Sequence, residues 1–469
     1  MRNVFFTAET LRRRGNRKDF IRLYLALVFS ASLCLCGSFS ARAQNDGSEQ
    51  NQIGRAGTFA IVGAKIVTVS GPTIENGTIV LQNGKIAAVG ANVSIPAGAE
   101  KIDGKGLSVY PGMIDAGTNM GLAEITLAVP GSVDLADVGQ NNANGMAFQG
   151  INPDSAHINV TRINGITTVM SYPVGGMIAG RSAVINLNGA TPDEMGVTPV
   201  YGLVVNFPRV TQGGGFGGGF GAPQIDFNEA VKRRDTAVDE LKKIFKNAAD
   251  YMRARDAYAK DNSLPYTPND PRLEAMAPYI RGEKPVMFTA ERERDIRSVA
   301  KFVAEMKLKG IVIGGQEAWK AADVLKANNI SVIYTNIYQL PVLDDDAYDA
   351  LYSAPSKMAA AGVKFCISTG DTGPEVRDLP YHAGLAGGYG LSYDDALKSV
   401  TLSAAEILGV GDKMGSLDVG KMGNVVVADG SILEPRTNIK YMFIGGRMIP
   451  LTSRHTRLYD SFKDRKKPQ

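Results

Sequence analysis

Histidine and cysteine are scarce in this 469-residue chain, which has three of each and a single tryptophan. Three histidines exclude any metal site that needs four imidazole ligands. Two of the cysteines, Cys34 and Cys36, lie in an apolar run near the N-terminus, and the third is Cys366. Removal of that run would leave one cysteine and exclude an intrachain disulfide. The apolar surroundings of Cys366 favour a packing role over a nucleophilic one.

A basic segment followed by an apolar run opens the chain. The run covers residues 23–39, and residues 41–43 read Ala-Arg-Ala. This order is typical of an export signal with a cleavage site, and the run is short for a transmembrane span. We predict a signal peptide over 1–43, cleavage after Ala43, a periplasmic or secreted protein, and no stable membrane insertion after cleavage. An uncleaved anchor is the alternative, and the sequence leaves the Sec and twin-arginine routes both open.

The positive charge of the chain belongs to this leader. Residues 1–43 carry eight Arg or Lys and two Asp or Glu, a net charge of +6, whereas the whole chain carries +4. The remainder is therefore close to −2. This charge gives no electrostatic basis for binding nucleic acid or an anionic membrane.

The pattern of apolar residues changes twice along the chain. Segments rich in β-branched residues lie at 59–69, 77–81 and 86–89, and again at 424–428, 439–444 and 447–451. Between them, short apolar strands at 109–114, 166–171, 197–206, 285–289, 310–313, 331–335 and 363–369 alternate with amphipathic stretches such as 297–307, 317–327 and 393–408. This alternation predicts an α/β fold, a (β/α)8 TIM-like barrel, with a small β-sandwich built from the N- and C-terminal segments.

These patterns set the expected domain boundaries. A polar linker covers 44–57, the two parts of the sandwich cover 58–108 and 412–452, the barrel covers 109–411, and a basic tail covers 453–469. A glycine-rich insertion at 211–223 interrupts the barrel, and a loop over the barrel mouth and a passive linker are equally compatible with it. Asp226 is predicted to cap a helix that runs to about residue 259.

Several ordered motifs resemble the amidohydrolase superfamily. Residues 109–115 (VYPGMID) resemble its first barrel strand, and 83–90 (NGKIAAVG) resemble its N-terminal hairpin. Residues 401–405 (TLSAA) and 415–421 (GSLDVGK) resemble its last barrel helix and its return into the sandwich. The resemblance runs from about residue 59 to 451, and the imidazolonepropionase- and dihydroorotase-like members look closest.

The resemblance implies a metal centre whose histidines are missing here. In the family, two histidines of strand one, one each of strands five and six, and an aspartate of strand eight hold divalent ions, commonly zinc. In this chain the four histidine positions correspond to Gly117, Asn119, Thr289, and Gly314 or Gly315. Glycine has no ligand atom and an amide is a poor zinc ligand. We therefore expect the family's zinc to be lost, and we predict no metal ligands and no other cofactor.

The resemblance places Asp371 at the family's strand-eight aspartate, and we predict it as the catalytic residue. Asn119, Glu291, Arg292 and Gln316 follow predicted strands and are predicted to bind substrate. Asp371 could instead cap a turn, and the other residues could be surface polar groups. Oxygen atoms of this kind would suit calcium or magnesium better than zinc. The three histidines, His157, His382 and His455, are interpreted as structural or surface residues.

These observations leave three functional hypotheses open. The first is a hydrolase of carbon–nitrogen bonds other than peptide bonds, such as cyclic amides, with a degenerate metal site. The second is a catalytically inactive barrel that serves as a periplasmic small-molecule binding or regulatory module. The third is a structural role without a ligand. Under the first two the partner is a small molecule, and because this scaffold often forms oligomers, a homo-oligomer is among the expected assemblies.

Overall fold

The computed structural model describes residues 52–125, 130–211, 225–335, 337–341, 345–370 and 373–465. Contacts group residues 50–469 into one compact unit. The predicted signal peptide, nearly all of the glycine-rich insertion and Asp371 lie outside the described residues. Among the described residues, no helix is both long enough and apolar enough to traverse a bilayer.

The first sheet joins the two ends of the described chain. In sequence order its strands are β1 (Phe59–Ile66), β2 (Ile74–Gln82), β3 (Lys85–Gly90), β4 (Glu100–Asp103), β5 (Ser108–Pro111), β16 (Val425–Ala428), β17 (Ile439–Ile444) and β18 (Arg447–Met448). Their spatial order is β18-β17-β16-β5-β1-β2-β3, with β4 paired to β1. β16 pairs with β5 in an antiparallel manner, with Val427 opposite Val109. This pairing joins the N-terminal strands to the C-terminal strands. The predicted pairing of the N- and C-terminal β segments is confirmed.

Two tight turns of this sheet lie against each other. Asn83 and Gly84 connect β2 to β3 with φ of 53° and 79°, and Gly445 and Gly446 connect β17 to β18 with φ of 56° and 68°. Positive φ at both central residues matches the twist of antiparallel strands. A Cβ on Gly446 would lie 2.8 Å from the Cα of Gly84. The hairpin predicted at Asn83-Gly84 is confirmed, and glycine allows the two turns to approach.

The strand predicted over 109–114 is in fact two strands in different sheets. β5 ends at Pro111, and β6 (Met113–Thr118) begins a second sheet. A Cβ on Gly112 would lie 2.2 Å from Thr167, so only glycine fits where the chain passes from one sheet to the other. The apolar run is continuous across this break, and the prediction of a single strand was therefore wrong.

The second and third sheets contain the parallel strands. The second has the order β10-β9-β7-β6 and the third β15-β14-β13-β12-β11-β8. The pairs β6–β7, β11–β12, β12–β13, β13–β14 and β14–β15 are parallel, and the other pairs are antiparallel. The bounds are β7 (Ile166–Ser171), β8 (Ile178–Arg181), β9 (Ala183–Asn186), β10 (Gly196–Thr198), β11 (Leu203–Asn206), β12 (Val286–Ala290), β13 (Gly310–Gly314), β14 (Ser331–Tyr334) and β15 (Phe365–Ile367).

The antiparallel strands and several helices differ from the sequence prediction. β8 and β9 were not predicted, and the strand expected over 197–206 is divided into β10 and β11. The helices are α1 (Ala147–Gly150), α2 (Ala156–Arg162), α3 (Pro192–Met195), α4 (Phe227–Lys260), α5 (Pro271–Ile280), α6 (Glu293–Met306), α7 (Ala322–Ala327), α8 (Ala350–Ala360), α9 (Leu379–Gly388), α10 (Tyr393–Ser399), α11 (Leu402–Ile407) and α12 (Arg454–Phe462). Asp226 caps α4 as predicted, since its carboxylate accepts the backbone N–H of Asn228 at 2.8 Å.

Alternate residues of the parallel strands point into two different cores. Val312 and Val332 pack with the helices in one core. Their neighbours Ile313 and Ile333 pack in another with Ile114 and Met170 of the second sheet. The two sheets therefore share an inner apolar core, and the helices cover the opposite face. The structure is mixed α/β, as predicted, while the closed barrel and the sandwich stay predictions.

Candidate functional site

The carboxyl ends of the parallel strands carry the polar side chains of interest. β12, β13, β14 and β15 are parallel to their neighbours, so their carboxyl ends lie along one edge of the third sheet. Glu291 directly follows β12, and Gln316 comes two residues after β13. Ser368 and Thr369 follow β15. Ligands of open α/β sheets bind outside the carboxyl ends of the strands, so these side chains are candidates for the site.

Glu291 and Gln316 lie together at the ends of neighbouring strands, and their role in substrate binding stays a prediction. The Glu291 carboxylate accepts the backbone N–H of Gln316 at 3.2 Å, and the Gln316 side-chain amide donates to Gln339 at 2.9 Å. Gln316 is buried. The carboxylate passes over Gly314, where a Cβ would come within 2.3 Å of it and where φ is 104°. Glycine at 314 therefore leaves free the space that the Glu291 carboxylate occupies.

Arg292 belongs to an ion-pair network at the start of α6. Its guanidinium is 3.9 Å from the carboxylate of Glu317, which is 2.8 Å from the ammonium of Lys320. The same carboxylate accepts the backbone N–H of Glu293 at 2.8 Å. The positive charge of Arg292 is thus already opposed by Glu317. This contact gives Arg292 a role in anchoring α6, and its predicted role in substrate binding stays a prediction.

Asn119 lies at the end of a different sheet. It follows β6, is buried, and donates from its side-chain amide to the backbone carbonyl of Tyr172 at 3.2 Å. Tyr172 follows β7. Asn119 therefore ties together the ends of β6 and β7, whereas Glu291 and Gln316 occupy the ends of β12 and β13.

Asp115 is a buried carboxylate that the sequence analysis did not select. On β6 and without solvent exposure, it accepts the backbone N–H groups of Gly117 at 3.1 Å and Thr369 at 3.2 Å. The hydroxyls of Ser368 and Thr369 also hydrogen-bond to it. Burial raises the pKa of Asp115 to about 6, although these hydrogen bonds act in the opposite direction. The signal in the sequence was the presence of a carboxylate, Asp115, at the end of the 109–115 motif and of two neighbouring hydroxyl residues, Ser368 and Thr369.

Gly117, which the resemblance aligns with the family's first histidine, faces packed side chains. A Cβ there would lie 3.2 Å from the hydroxyl of Ser368 and 3.3 Å from Ile333, with Tyr172 next at 3.7 Å. Ile333 and Tyr172 belong to the inner core, and Ser368 is fully buried. An imidazole at 117 would have to displace Ile333 of β14 and Ser368, which follows β15.

His382 is buried beside the end of β15. It lies on α9, its ring packs edge-to-face on Tyr338 with centroids 4.4 Å apart, and it has a hydrogen bond with the backbone of Ser368. Its Nδ1 has no hydrogen-bond partner within the described part of the chain. Burial lowers the pKa of His382 to about 4. The imidazole is therefore neutral at pH 7, and its Nδ1 is buried.

His157 lies on the other side of the segment that follows β15. A Cβ on Gly373 would be 3.3 Å from the imidazole of His157, whose Nε2 hydrogen-bonds to the backbone carbonyl of Glu124 at 3.0 Å. His382 adjoins Ser368 and His157 adjoins Gly373. Two of the three histidines thus lie near the two described ends of the segment 368–373, which contains Asp371. His382 follows this segment closely in the sequence, but the place of His157 could not be obtained from sequence separation, because it lies far from Gly373 along the chain.

The described residues were also compared with the requirements of a metal centre. Across residues 52–465, apart from the gaps given above, no group of three or more His, Cys, Asp or Glu is arranged to hold a metal ion. Cys366 is buried in the inner core, and burial raises the pKa of its thiol, as expected for a packing residue.

A cavity of about 430 Å³ opens at the carboxyl end of β11. Asn206, the last residue of β11, lines it together with Phe207 and residues of α4. The Asn206 side-chain oxygen accepts the hydroxyl of Thr289 at 3.3 Å, so the cavity adjoins the end of β12. Asn119, Glu291, Arg292 and Gln316 are not among the residues that line it.

Comparison with known proteins supports the resemblance noted in the sequence. Residues 342–449 match the model of the amidohydrolase family, and no curated protein matches the chain. An amidohydrolase from Thermotoga maritima MSB8 is similar in structure, with a TM-score of 0.71, 21% sequence identity, and coverage of 83% of this chain and 99% of that chain.

Two further solved structures share the fold less closely. Molinate hydrolase has a TM-score of 0.51 and 14% identity, and the match covers 85% of this chain and 96% of that chain. Another amidohydrolase has a TM-score of 0.51 and 17% identity, with coverage of 84% and 98%. At these identities the structures establish the fold. The family model matches residues 342–449 only, so the superfamily expected from the sequence is supported, and membership in it and the branch within it stay predictions.

Proposed function

We propose that this chain, with its amidohydrolase fold, is an exported hydrolase that acts on carbon–nitrogen bonds other than peptide bonds, such as those of cyclic amides. The family match and the fold support hydrolysis in general. The N-terminal basic segment, apolar run and Ala-Arg-Ala sequence support export. The substrate class follows from the resemblance of the motifs, since fold alone does not define chemistry.

The observation that carries the proposal is the arrangement around the end of β15. Asp115 hydrogen-bonds to Ser368 and Thr369 at the start of the segment 368–373, which contains Asp371. His382 adjoins Ser368, and His157 adjoins Gly373, two residues after Asp371. The polar contacts of Asp115 and His382 hold the Ser368–Thr369 end of the segment in place. A functional carboxylate needs rigid support of this kind.

In the proposed reaction Asp371 acts as the general base. Its carboxylate takes a proton from water while the water oxygen bonds to the carbonyl carbon of the amide. The same proton then passes to the nitrogen as the carbon–nitrogen bond breaks. The neutral imidazole of His382 hydrogen-bonds to the backbone of Ser368 and so supports the start of the segment that contains Asp371.

The described residues do not fit the zinc centre of the family. Gly117 replaces the first histidine, and Ser368 and Ile333 occupy the space that an imidazole there would need. Asn119 replaces the second and uses its amide to hold Tyr172. The proposed mechanism therefore contains no step that depends on zinc, and the metal site is proposed to be degenerate.

The second candidate is a periplasmic small-molecule binding or regulatory module. The apolar packing around Gly117 favours it, because that part of the inner face is filled by Ile333 and Tyr172. A former catalytic scaffold of this kind would bind a ligand without converting it.

Turnover of cyclic amides by the purified mature protein separates these candidates. We expect hydrolysis by the wild type after chelator treatment, and a loss of at least about 100-fold in kcat/KM for Asp371→Asn. His382→Gln should also lose activity, whereas His455→Gln on the exposed helix α12 is the matched control and should not. Melting temperatures establish that each variant is folded.

Each outcome has a consequence for the proposal. Hydrolysis that survives Asp371→Asn would overturn the role of Asp371. Stoichiometric, tightly held zinc that is required for turnover would overturn the degenerate site. Ligand-dependent thermal stabilisation without turnover of any cyclic amide would favour the binding module instead.

A further inference from the structure

The cavity at the carboxyl end of β11 is a feature near the strand ends that the proposed reaction does not use. Its volume of about 430 Å³ falls within the range of small-molecule sites. It lies at the strand edge where α/β proteins bind ligands, beside Asn206. Its position and size are therefore those of a ligand site.

Three arginines and no acidic side chain line this cavity among the described residues. They are Arg209, Arg233 and Arg234. Arg209 follows β11, is exposed, and has no ion pair with the described residues. The cavity therefore has at least one guanidinium whose charge is not opposed within the described structure.

The other two guanidinium groups have partial partners outside the cavity lining. Arg233 pairs with Glu229, one helical turn earlier on α4, at 3.0 Å. Arg234 lies 3.3 Å from Asp235 and donates to the hydroxyl of Ser298 at 3.2 Å. The atom of Arg234 that lies 3.3 Å from Asp235 is its buried Nε, and the geometry of this ion pair is not that of a hydrogen bond. The charges of Arg233 and Arg234 are therefore partly opposed, and Arg209 is the cavity's guanidinium without an opposing carboxylate among the described residues.

The remaining lining residues suit an organic molecule that carries the anion. Gln140 is exposed and its side-chain amide makes no hydrogen bond to the described residues. Phe207 and Met177 supply apolar surface. Asn206 is held in place because its amide donates to the carbonyl of Gly176 at 2.8 Å. The wall thus combines charged donors, a free amide and an apolar side.

We propose that this cavity binds a small oxyanion-bearing molecule through Arg209 and the neighbouring guanidinium groups. Guanidinium presents paired N–H donors that match the oxygens of carboxylate and phosphate. This inference goes beyond the proposed hydrolysis and does not depend on it. The shared chemistry is the oxyanion, which a carboxylate or a phosphate can supply.

Titration calorimetry of the mature protein with inorganic phosphate, and separately with succinate, at constant ionic strength tests the proposal. We expect saturable binding of at least one anion, and the tighter one identifies the oxyanion. Arg209→Gln should raise Kd at least about fivefold, since it removes a charged donor. Arg253→Gln is the matched control: it lies on α4, 19 residues beyond Arg234 and roughly 28 Å away along the helix, and its Kd should not change.

Asp371→Asn distinguishes this inference from the proposed function. It should retain anion binding even if hydrolysis is abolished. The inference is overturned if neither anion binds saturably. It is also overturned if Arg209→Gln leaves Kd unchanged, or if Arg209→Gln and Arg253→Gln weaken binding equally.

Discussion

The carboxylate of Asp115 on β6 accepts the backbone N–H of Thr369, beyond the end of β15, at 3.2 Å. β6 belongs to the second sheet and β15 to the third. This contact therefore connects two sheets through a single buried side chain. It lies two residues before the position where the family resemblance places the catalytic carboxylate.

The first prediction concerns this buried carboxylate. Asp115→Asn replaces one of the two acceptor oxygens by an N–H donor. The groups among Ser368, Thr369 and Gly117 that donate to that oxygen then lose their acceptor. We expect the free energy of unfolding to fall by about 2–4 kcal/mol, measured by urea denaturation. The exposed Asp250→Asn is the control and should leave the midpoint unchanged. Equal midpoints for both variants would show that the network does not stabilise the fold.

The second prediction concerns His382 and acid. Its folded pKa is about 4, below the ordinary value of 6.5, so between these values the unfolded chain binds a proton that the folded protein does not. Stability from the neutral imidazole is therefore present above pH 6.5 and is lost as pH falls towards 4. A shift of this size corresponds to about 3 kcal/mol.

The measurement is the difference in unfolding free energy between wild type and His382→Gln as a function of pH. We expect this difference to shrink by about 3 kcal/mol between pH 7 and pH 4. His455→Gln, at an exposed position of α12, is the control for the loss of a histidine. A difference independent of pH would mean that His382 titrates near its ordinary pKa.

Asp115 should show the opposite dependence. Its folded pKa of about 6 lies above the ordinary value of 3.8, so between these values the folded protein holds a proton that the unfolded chain releases. Stability that is present below pH 3.8 is lost as pH rises to 6, by about 3 kcal/mol. The difference in unfolding free energy between wild type and Asp115→Asn should therefore decrease from pH 4 to pH 7. An increase over this interval would contradict a raised pKa.

Another prediction concerns the space around Gly117, which the resemblance aligns with the family's first histidine. Gly117→His should lower the free energy of unfolding by about 3 kcal/mol or more, because the imidazole must displace Ser368 and Ile333. Gly131→His is the control, since a Cβ there meets nothing within 4 Å. Denaturation and zinc analysis of both variants provide the test. A stable Gly117→His protein that retained zinc would show that the site accepts the family ligand.

The last prediction tests the place of Glu291. Gly314→Ala places a Cβ against the Glu291 carboxylate and puts a residue with a side chain at a φ of 104°. Gly282→Ala has a φ of 69°, and its Cβ has no neighbour within 4 Å. We expect Gly314→Ala to cost about 1–2 kcal/mol more than Gly282→Ala. In a double-mutant cycle, Glu291→Ala should recover most of this excess. Strict additivity of the two changes would show that the side chains do not interfere.

Local patterns were sufficient for elements that depend on neighbouring residues. The turn at Asn83-Gly84 needs two residues with positive φ, and the cap at Asp226 needs one carboxylate before the helix. Both are written in short stretches of sequence, and both were predicted correctly. The adjacency of Glu291 and Gln316 followed from parallel neighbouring strands.

Contacts between distant segments could not be obtained in this way. The division of the predicted strand at Gly112 depends on Thr167, and the burial of Asp115 depends on Ser368 and Thr369. His382 read as part of a helix, yet its partners are Ser368 and Tyr338. In each case the deciding atom belongs to another element, so no local pattern contains it.

The sequence by itself determined that a set of four imidazole ligands cannot form within this chain, because it has only three histidines. It also determined the family resemblance, since ordered motifs carry it. Only the tertiary structure decided what surrounds the missing positions. Gly117 faces Ser368 and Ile333, and His157 and His382 lie near the two described ends of the segment that carries Asp371. Such relations arise when strands and helices far apart in the chain pack together, and packing depends on the whole fold.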